Sequence, residues 1–258
     1  MTDSDPPLLR ADQLLVEKGL VRSRTRAQRL IKHGRVSLLQ DGNAQRITKT
    51  SERLPTDCVL DIVADAEERY ASRAGLKLEG LLQQHGIRFD GQTLVDIGQS
   101  TGGFTDCAVA FGALRVIGIE VGHAQLDPRL REDPRVHCLE GINARALPIA
   151  NLEALAPQGI DGVLMDVSFI SQTLILPEIG KLLRQGKRLY SLVKPQFELN
   201  REDIDQRGLV RAPDAQQRVY QRIEKALDDA GMALLDWRPS SITGGDGNQE
   251  WMMLAQKQ

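Results

Sequence analysis

The sequence predicts an α/β protein: a Rossmann-like seven-stranded sheet with helices on both faces, preceded by a small α+β module. Three observations carry this. From about residue 72, short apolar runs alternate with helical periodicities, the pattern of a mostly parallel sheet covered on both sides. One run, Leu94-Val95-Asp96-Ile97, passes directly into the glycine-rich turn Gly98 to Gly103. Basic charge also gathers ahead of the sheet: residues 1–60 hold 11 Lys and Arg against 7 Asp and Glu, although the whole chain carries a net charge of −2.

Length and composition agree with that division. The 258 residues leave room for one large domain and one small one. With 41% hydrophobic and 26% charged residues, the chain has an ordinary globular composition. No apolar run approaches the roughly 18 residues of a membrane span, and Met1 to Pro7 is polar and acidic, unlike a signal peptide. A cytoplasmic protein without a membrane partner is expected. Cys58, Cys107 and Cys138 stand far apart without a CxxC pair, so structural thiols are expected and a metal site is not. Nothing in the composition bears on the oligomeric state.

The N-terminal module is expected over 8–66. A short helix from Ala11 to Lys18 ends at Gly19, and a second begins after Ser23, a plausible N-cap, and ends at Gly34. Ala27, Leu30 and Ile31 recur at helical spacing on the second helix. Between residues 18 and 35 lie Lys18, Arg22, Arg24, Arg26, Arg29, Lys32 and Arg35, with no acid among them. A solubilising face mixes signs, whereas phosphate binding wants one sign only. Arg22, Arg24, Arg26, Arg29, Lys32 and Arg35 are therefore candidates for binding nucleic acid, with a plain solvated helix face as the competing reading. Strands are expected at Arg35–Leu39 and Val59–Val63, with a turn at Asp41-Gly42.

A linker is expected at 67–71, at the end of an acidic stretch without apolar periodicity, and the second domain over 72–258. Its strands are predicted at Leu94–Ile97, Arg115–Val121, Val136–Leu139, Gly162–Met165, Arg188–Val193, Ala233–Trp237 and Trp251–Ala255. A helix from about Pro213 to Ala230 closes at Gly231 and lines one side with Val219, Ile223, Leu227 and Ala230. Seven strands, the last two able to form a hairpin, fit a Rossmann-like methyltransferase sheet.

The turn Asp96-Ile97-Gly98-Gln99-Ser100-Thr101-Gly102-Gly103 is the candidate cofactor site. Its glycines permit a sharp turn and close approach of a ligand. Its spacing is neither GxGxxG nor a P-loop, which argues against NAD or ATP. Glu120 ends the next strand, where a carboxylate can accept hydrogen bonds from both ribose hydroxyls of an adenosine. Asn143 follows the third strand and Asp166 the fourth. Each alone has a duller explanation, such as a helix cap; together at successive strand ends they point to S-adenosylmethionine (SAM). The cofactor-binding set is Asp96, Gly98, Ser100, Thr101, Gly102, Gly103, Phe104, Glu120, Asn143 and Asp166.

Four charged residues, Lys77, Asp166, Lys194 and Glu250, sit at element boundaries where burial without purpose would be costly. They suit methyl transfer to a ribose 2′-hydroxyl, a poor nucleophile that must lose its proton. Lys194 is the expected base and Lys77 a second positive charge that orients the hydroxyl. Asp166 is expected to position Lys194 and face the methyl donor, and Glu250 to fix Lys77. A pair of structural salt bridges is the alternative.

These segments, SRAGLKL (72–78), DIGQSTGGFTD (96–106), MDVSFIS (165–171), LVKPQFE (192–198) and SSITGGDGNQEW (240–251), resemble the TlyA-type proteins. Members of that family, historically called haemolysins, are SAM-dependent 2′-O-ribose methyltransferases of ribosomal RNA with an FtsJ/RrmJ-like catalytic domain. The resemblance covers nearly the whole chain from about residue 8. It implies an S4-type RNA-binding domain at 8–66 and an FtsJ-like SAM-dependent methyltransferase domain at 72–258. The catalytic tetrad would be Lys77, Asp166, Lys194 and Glu250, and the substrate a cytidine ribose of 16S or 23S rRNA, met as RNA or in ribosomal subunits. Arg73, beside the tetrad lysine, joins the expected RNA-binding residues. An assembly factor that keeps the fold but methylates little is the runner-up, and a membrane-lytic haemolysin the remote alternative. The sequence departs from the family pattern at Gln99, usually a small residue, at Ala74, and at Glu120, more often aspartate.

Overall fold

The computed structural model describes residues 6–21, 23–40, 42–63 and 69–258. Arg22, Asp41 and residues 67–68 of the expected linker lie outside them. The chain divides into two compact units, Met1–Glu68 and Arg69–Gln258.

The first unit packs two helices on short strands. β1 (Leu8–Arg10) leads into α1 (Ala11–Glu17), and α2 (Arg24–Lys32) follows. Ser23 caps α2 by accepting a hydrogen bond from Arg26 N at 3.3 Å. Gly19 and Gly34, at positive φ, follow the helix ends as the sequence predicts. β2 (Val36–Gln40) pairs with β3 (Asn43–Arg46) and β5 (Val59–Ile62), while β4 (Arg53–Pro55) pairs with β1. The sequence reading missed β1, β3 and β4; they are three or four residues long, and β3 is exposed throughout, leaving no alternation to read. Leu14, Leu15, Ala27, Leu30, Ile31 and Val36 form the core.

The second unit is a seven-stranded sheet, α/β as predicted. In chain order it holds α3 (Ala74–Gln84), β6 (Thr93–Ile97), α4 (Gly103–Ala110), β7 (Arg115–Glu120), α5 (Pro128–Arg131) and β8 (Val136–Glu140). There follow α6 (Ile149–Leu155), β9 (Gly162–Met165), α7 (Leu176–Leu182) and β10 (Arg188–Val193). The unit closes with α8 (Pro195–Glu198), α9 (Ala215–Asp229), β11 (Met232–Pro239) and β12 (Trp251–Lys257). The strand order is β11-β12-β10-β9-β6-β7-β8, and all strands run in one direction except β12, which is antiparallel to both its neighbours.

Alternation along the strands divides the core. Val95, Ile97, Val163 and Met165 pack with Leu152 of α6, Ile179 of α7 and Val219 of α9. Leu94, Val116 and Leu164 face the other way, onto Leu78 of α3 and Phe104 and Cys107 of α4. α9 buries Val219, Ile223 and Leu227 completely, as its period predicts. Pro213, however, precedes the N-cap Asp214 and is not a first-turn residue. Two residues read as linker are packed as well. Tyr70 is buried against Leu78 and Cys107, where Gly75 leaves room for its ring, and Ala71 N donates to Asp106 Oδ2 at 2.8 Å. An acidic flank without periodicity gave no sign of this docking.

Candidate active site

The sheet register brings the predicted catalytic residues to one edge. Met165 pairs with Ile97 of β6 and with Ser191 of β10, and Val193 pairs with Trp251 of β12. Gly98, Asp166, Lys194 and Glu250 therefore leave four adjacent strands at the same end, the usual place for a ligand in an open α/β sheet.

Two ion pairs form there. Lys194 Nζ lies 2.6 Å from Asp166 Oδ1. That contact is ionic only, because Asp166 Oδ1 has no aligned hydrogen bond, whereas Lys194 donates one to Ser168 Oγ at 2.8 Å. Lys77, one turn into α3, hydrogen-bonds Glu250, and both side chains are more than nine-tenths buried. A buried pair of this kind is costly to desolvate and weak evidence of stability, which favours a role in the site. Arg73 caps α3 one turn before Lys77, with its guanidinium beside Gly245.

A cavity of ≈ 570 Å³ opens next to this edge. It lies between Glu120, at the end of β7, and Asp166 to Ile170, after β9, with Ile142, Asn143 and Ala144 along one wall. Glu120 is buried and accepts from Ser100 N through Oε2 and from Gly122 N through Oε1, each at 2.8 Å. Each oxygen keeps a further lone pair for a ligand hydroxyl. Ser100 holds a left-handed φ of 48° to reach it. Asn143 is exposed at the cavity, its Oδ1 taken by Arg145 N at 3.0 Å.

Among the expected cofactor residues, Gly98, Ser100, Glu120, Asn143 and Asp166 line the cavity, while Asp96, Thr101, Gly102, Gly103 and Phe104 do not. Phe104 is core, and Thr101 is exposed and accepts from Asp127 N at 3.2 Å. A Cβ on Gly102 would stand 2.4 Å from Leu130, and one on Gly103 2.2 Å from Ser72 Oγ. In the direction of their missing side chains these two glycines make room for neighbouring protein.

Asp96 points to the α4 side of the sheet and is fully buried. It accepts the Thr105 hydroxyl at 2.6 Å, and Thr105 Oγ1 in turn accepts from Gln99 Nε2 at 2.9 Å. Burial pushes the Asp96 carboxyl up to about 7, with the charges of Asp166 and Glu120 adding to the rise and Thr105 opposing it. Gln99 thus acts beneath the turn, and no sequence pattern marks its partner Thr105.

The structure adds two residues at the cavity mouth. Ser168 fixes Lys194, and Phe169 is 92% exposed at a left-handed φ of 63°. Its ring lies 5.2 Å from that of Phe197, tilted by 50°. Ser168 and Phe169 were visible as parts of MDVSFIS, but their exposure was not. Among the described residues, no group of three or more His, Cys, Asp or Glu is placed to hold a metal.

The fold is shared with a geranyl diphosphate methyltransferase solved in complex with SAM, at 19% identity and TM-score 0.50 over 71% of this chain and 85% of that one. Closer similarity decides the family. The FtsJ-like methyltransferase family matches residues 70–257, and the S4 domain matches residues 9–55. The chain belongs to the FtsJ-like methyltransferase family, in its TlyA-type branch. It is 34% identical to the 16S/23S rRNA (cytidine-2′-O)-methyltransferase TlyA of Mycobacterium tuberculosis, over 95% of this chain and 88% of that protein. It is also 34% identical to Hemolysin A of Brachyspira hyodysenteriae, over 95% and 98%. A solved hemolysin-named structure from Streptococcus thermophilus shares 35% identity and a TM-score of 0.72, covering 97% of this chain and 89% of that one. No helix among the described residues of this enzyme is long and apolar enough to cross a membrane.

The S4 unit carries the expected basic helix, with one correction. Asp12, on α1, is fully buried and accepts from Arg10, Arg24 and Gln28, at 2.9, 3.1 and 2.8 Å. These bonds, Arg10's first, hold its carboxyl far below the usual range against the opposing effect of burial. Arg24 is thus partly spent on structure. Arg29 and Lys32 are exposed, Arg26 and Arg35 half-buried, and Arg22 lies outside the described residues. Lys32 and Gln28 also line an open cleft of ≈ 520 Å³ with Thr48, Lys49, Thr50 and Ser51. The sequence reading missed that loop because its cation stands alone among hydroxyls.

Proposed function

We propose that this enzyme transfers a methyl group from SAM to a ribose 2′-hydroxyl of ribosomal RNA, with cytidine in 16S or 23S rRNA as the acceptor. RNA or ribosomal subunits would be its partner, and the cytoplasm its place. The observation that carries this reading is the Lys194–Asp166 ion pair at the mouth of a cavity whose far end holds Glu120.

The cavity suits the cofactor. Its volume falls in the ordinary range for small ligands, about 300–1,000 Å³. Glu120 would receive the two ribose hydroxyls, and Val121 and Ile142 would flank the adenine. Asp166 Oδ1, buried without a hydrogen bond, would face the cationic end. When bound, SAM supplies an electrophilic methyl group and departs as a neutral thioether.

The chain's own residues do the rest. Lys194, as the neutral amine left after its ammonium gives a proton to solvent, accepts the proton of the 2′-hydroxyl, its Nζ aimed by Ser168 and Asp166. Lys77, locked by Glu250, offers a fixed positive charge to the developing alkoxide. Alignment of donor and acceptor then supplies most of the rate. Phe169, exposed beside this pair, offers a stacking face to the acceptor base, and the α2 helix with the Thr48–Ser51 loop binds the RNA backbone.

The test is to incubate the enzyme with labelled SAM and each ribosomal subunit, and to map 2′-O-methyl groups by mass spectrometry. Label at a discrete ribose supports the reading. A folded, SAM-binding protein that labels no RNA sinks it in favour of an assembly factor.

A further inference from the structure

Glu198 is a buried carboxylate for which methyl transfer has no direct use. It closes α8, whose N-cap is Lys194, so a single turn of helix joins the two residues. Its residue is 3% exposed, and burial pushes its carboxyl above the usual range while its hydrogen bonds pull the other way. A charge so placed needs compensation. Oε2 accepts from Ser171 Oγ at 2.5 Å and Oε1 from Gln172 N at 2.8 Å, and Arg222 Nε stands 3.9 Å away.

Both donors belong to the segment that begins at Asp166. The same Gln172 donates from Nε2 to Leu192 O at 2.6 Å and accepts from Ser191 Oγ at 2.9 Å, so the segment is also tied to β10. The result is a closed ring. Asp166 runs to Ser171, Ser171 bonds Glu198, Glu198 leads back through α8 to Lys194, and Lys194 pairs with Asp166. The catalytic pair itself is only one contact in that ring and lacks an aligned hydrogen bond. The β9–β10 register brings the pair together, and the Glu198 contacts brace it from the far side.

We propose that Glu198 is a positioning residue, whose carboxylate clamps the 166–172 segment to α8 and so fixes the Asp166–Lys194 pair. This rests on the methyltransferase reading above. A displacement of about 1 Å at the pair is enough to cost about a hundredfold in rate, so a clamp remote from the chemistry has leverage on it.

The substitutions follow from the donors. Glu198→Ala frees Gln172 N–H and Ser171 O–H; kcat should fall at least about tenfold while SAM affinity and the KM for RNA stay within about threefold. Glu198→Gln should keep kcat within about threefold, because its oxygen accepts from Gln172 N–H and its amide donates to the reversed Ser171 hydroxyl. Adding Ser171→Ala to Glu198→Gln removes that acceptor and should bring the loss back. Amide hydrogen exchange over 166–173, read without RNA, should be slow in the wild type and in Glu198→Gln and fast in Glu198→Ala. A folded Glu198→Ala protein with wild-type kcat, or with unchanged exchange, overturns the proposal, as does a parallel loss of SAM affinity. If Glu198→Ala does not fold, Glu198→Gln with and without Ser171→Ala decides: equal kcat in the two proteins overturns it. A wild type that methylates no RNA defeats the function proposed above, while the exchange result still judges the clamp.

Discussion

Gln99 and Gly118 are matched to each other: a Cβ on Gly118 of β7 would stand 2.0 Å from the Gln99 carboxamide. The side chain at the centre of the cofactor turn lies over the neighbouring strand, and β7 carries a glycine there to admit it. Gly118→Ala should therefore destabilise the protein by roughly 1–3 kcal/mol through overpacking. Gly118→Ala combined with Gln99→Gly should recover much of that. Denaturant unfolding of the four proteins in a double-mutant cycle gives the coupling, and additive losses would mean the two sites are independent.

Asp96 makes stability depend on pH in an unusual direction. Its folded-state carboxyl is pushed up to about 7, against about 4 in an unfolded chain. Between those values the folded state keeps a proton that the unfolded state has lost, so stability falls as pH rises through this window and then levels off. Asp96→Asn removes the titration. The Tm of the variant relative to the wild type should rise from pH 5 to pH 8, and a flat difference would contradict the buried, proton-binding carboxyl.

If Lys194 is the base proposed above, Lys194→Ala should abolish methyl transfer while SAM affinity stays within a few-fold, since Lys194 does not line the cavity. Single-turnover assays with calorimetric SAM binding separate the two. Equal loss of both would make Lys194 structural.

Phe169→Gly tests whether the exposed ring is kept for a ligand. A left-handed φ costs a non-glycine residue about 1–2 kcal/mol, and at 92% exposure the ring returns little burial energy. The variant should match or exceed wild-type stability by up to about 1 kcal/mol and yet methylate RNA more slowly. A clear loss of stability would show that the ring serves the fold.

In the S4 unit, Lys49→Ala should weaken RNA binding and lower the slope of log K against log salt by roughly one. Filter binding at several salt concentrations measures it. An unchanged slope would remove the Thr48–Ser51 loop from the interface.

Much of the site was legible because its residues sit at strand ends, where the primary pattern marks both the position and the direction of the chain. Asp166 and Lys194 could be paired from strand order alone, and Glu120 from its place at the end of β7. What could not be read was what lies behind those ends. Asp96 belongs to the cofactor turn in sequence but faces α4, and its partner Thr105 is nine residues away. Gly102 and Gly103 look like a ligand cradle, yet the space where their side chains would stand is filled by Leu130 and Ser72. Asp12 lies outside the basic stretch and still holds Arg24 from beneath. In each case a tertiary neighbour decides the role, and spacing along one segment does not contain it.

β12 is last of the sheet strands in the chain, yet it lies between β10 and β11 and is preceded directly by Glu250. Lys77, on the first helix of the same unit, has its counter-charge there. During synthesis the lysine thus emerges about 170 residues before the acid that neutralises it. Until then α3 can only seat itself with an unmatched ammonium facing an incomplete sheet, a state that costs several kcal/mol. A chain stalled or clipped before Glu250 has neither a complete sheet nor a paired lysine. Completion of the chain is therefore what brings Lys77 its counter-charge and β11 its partner strand.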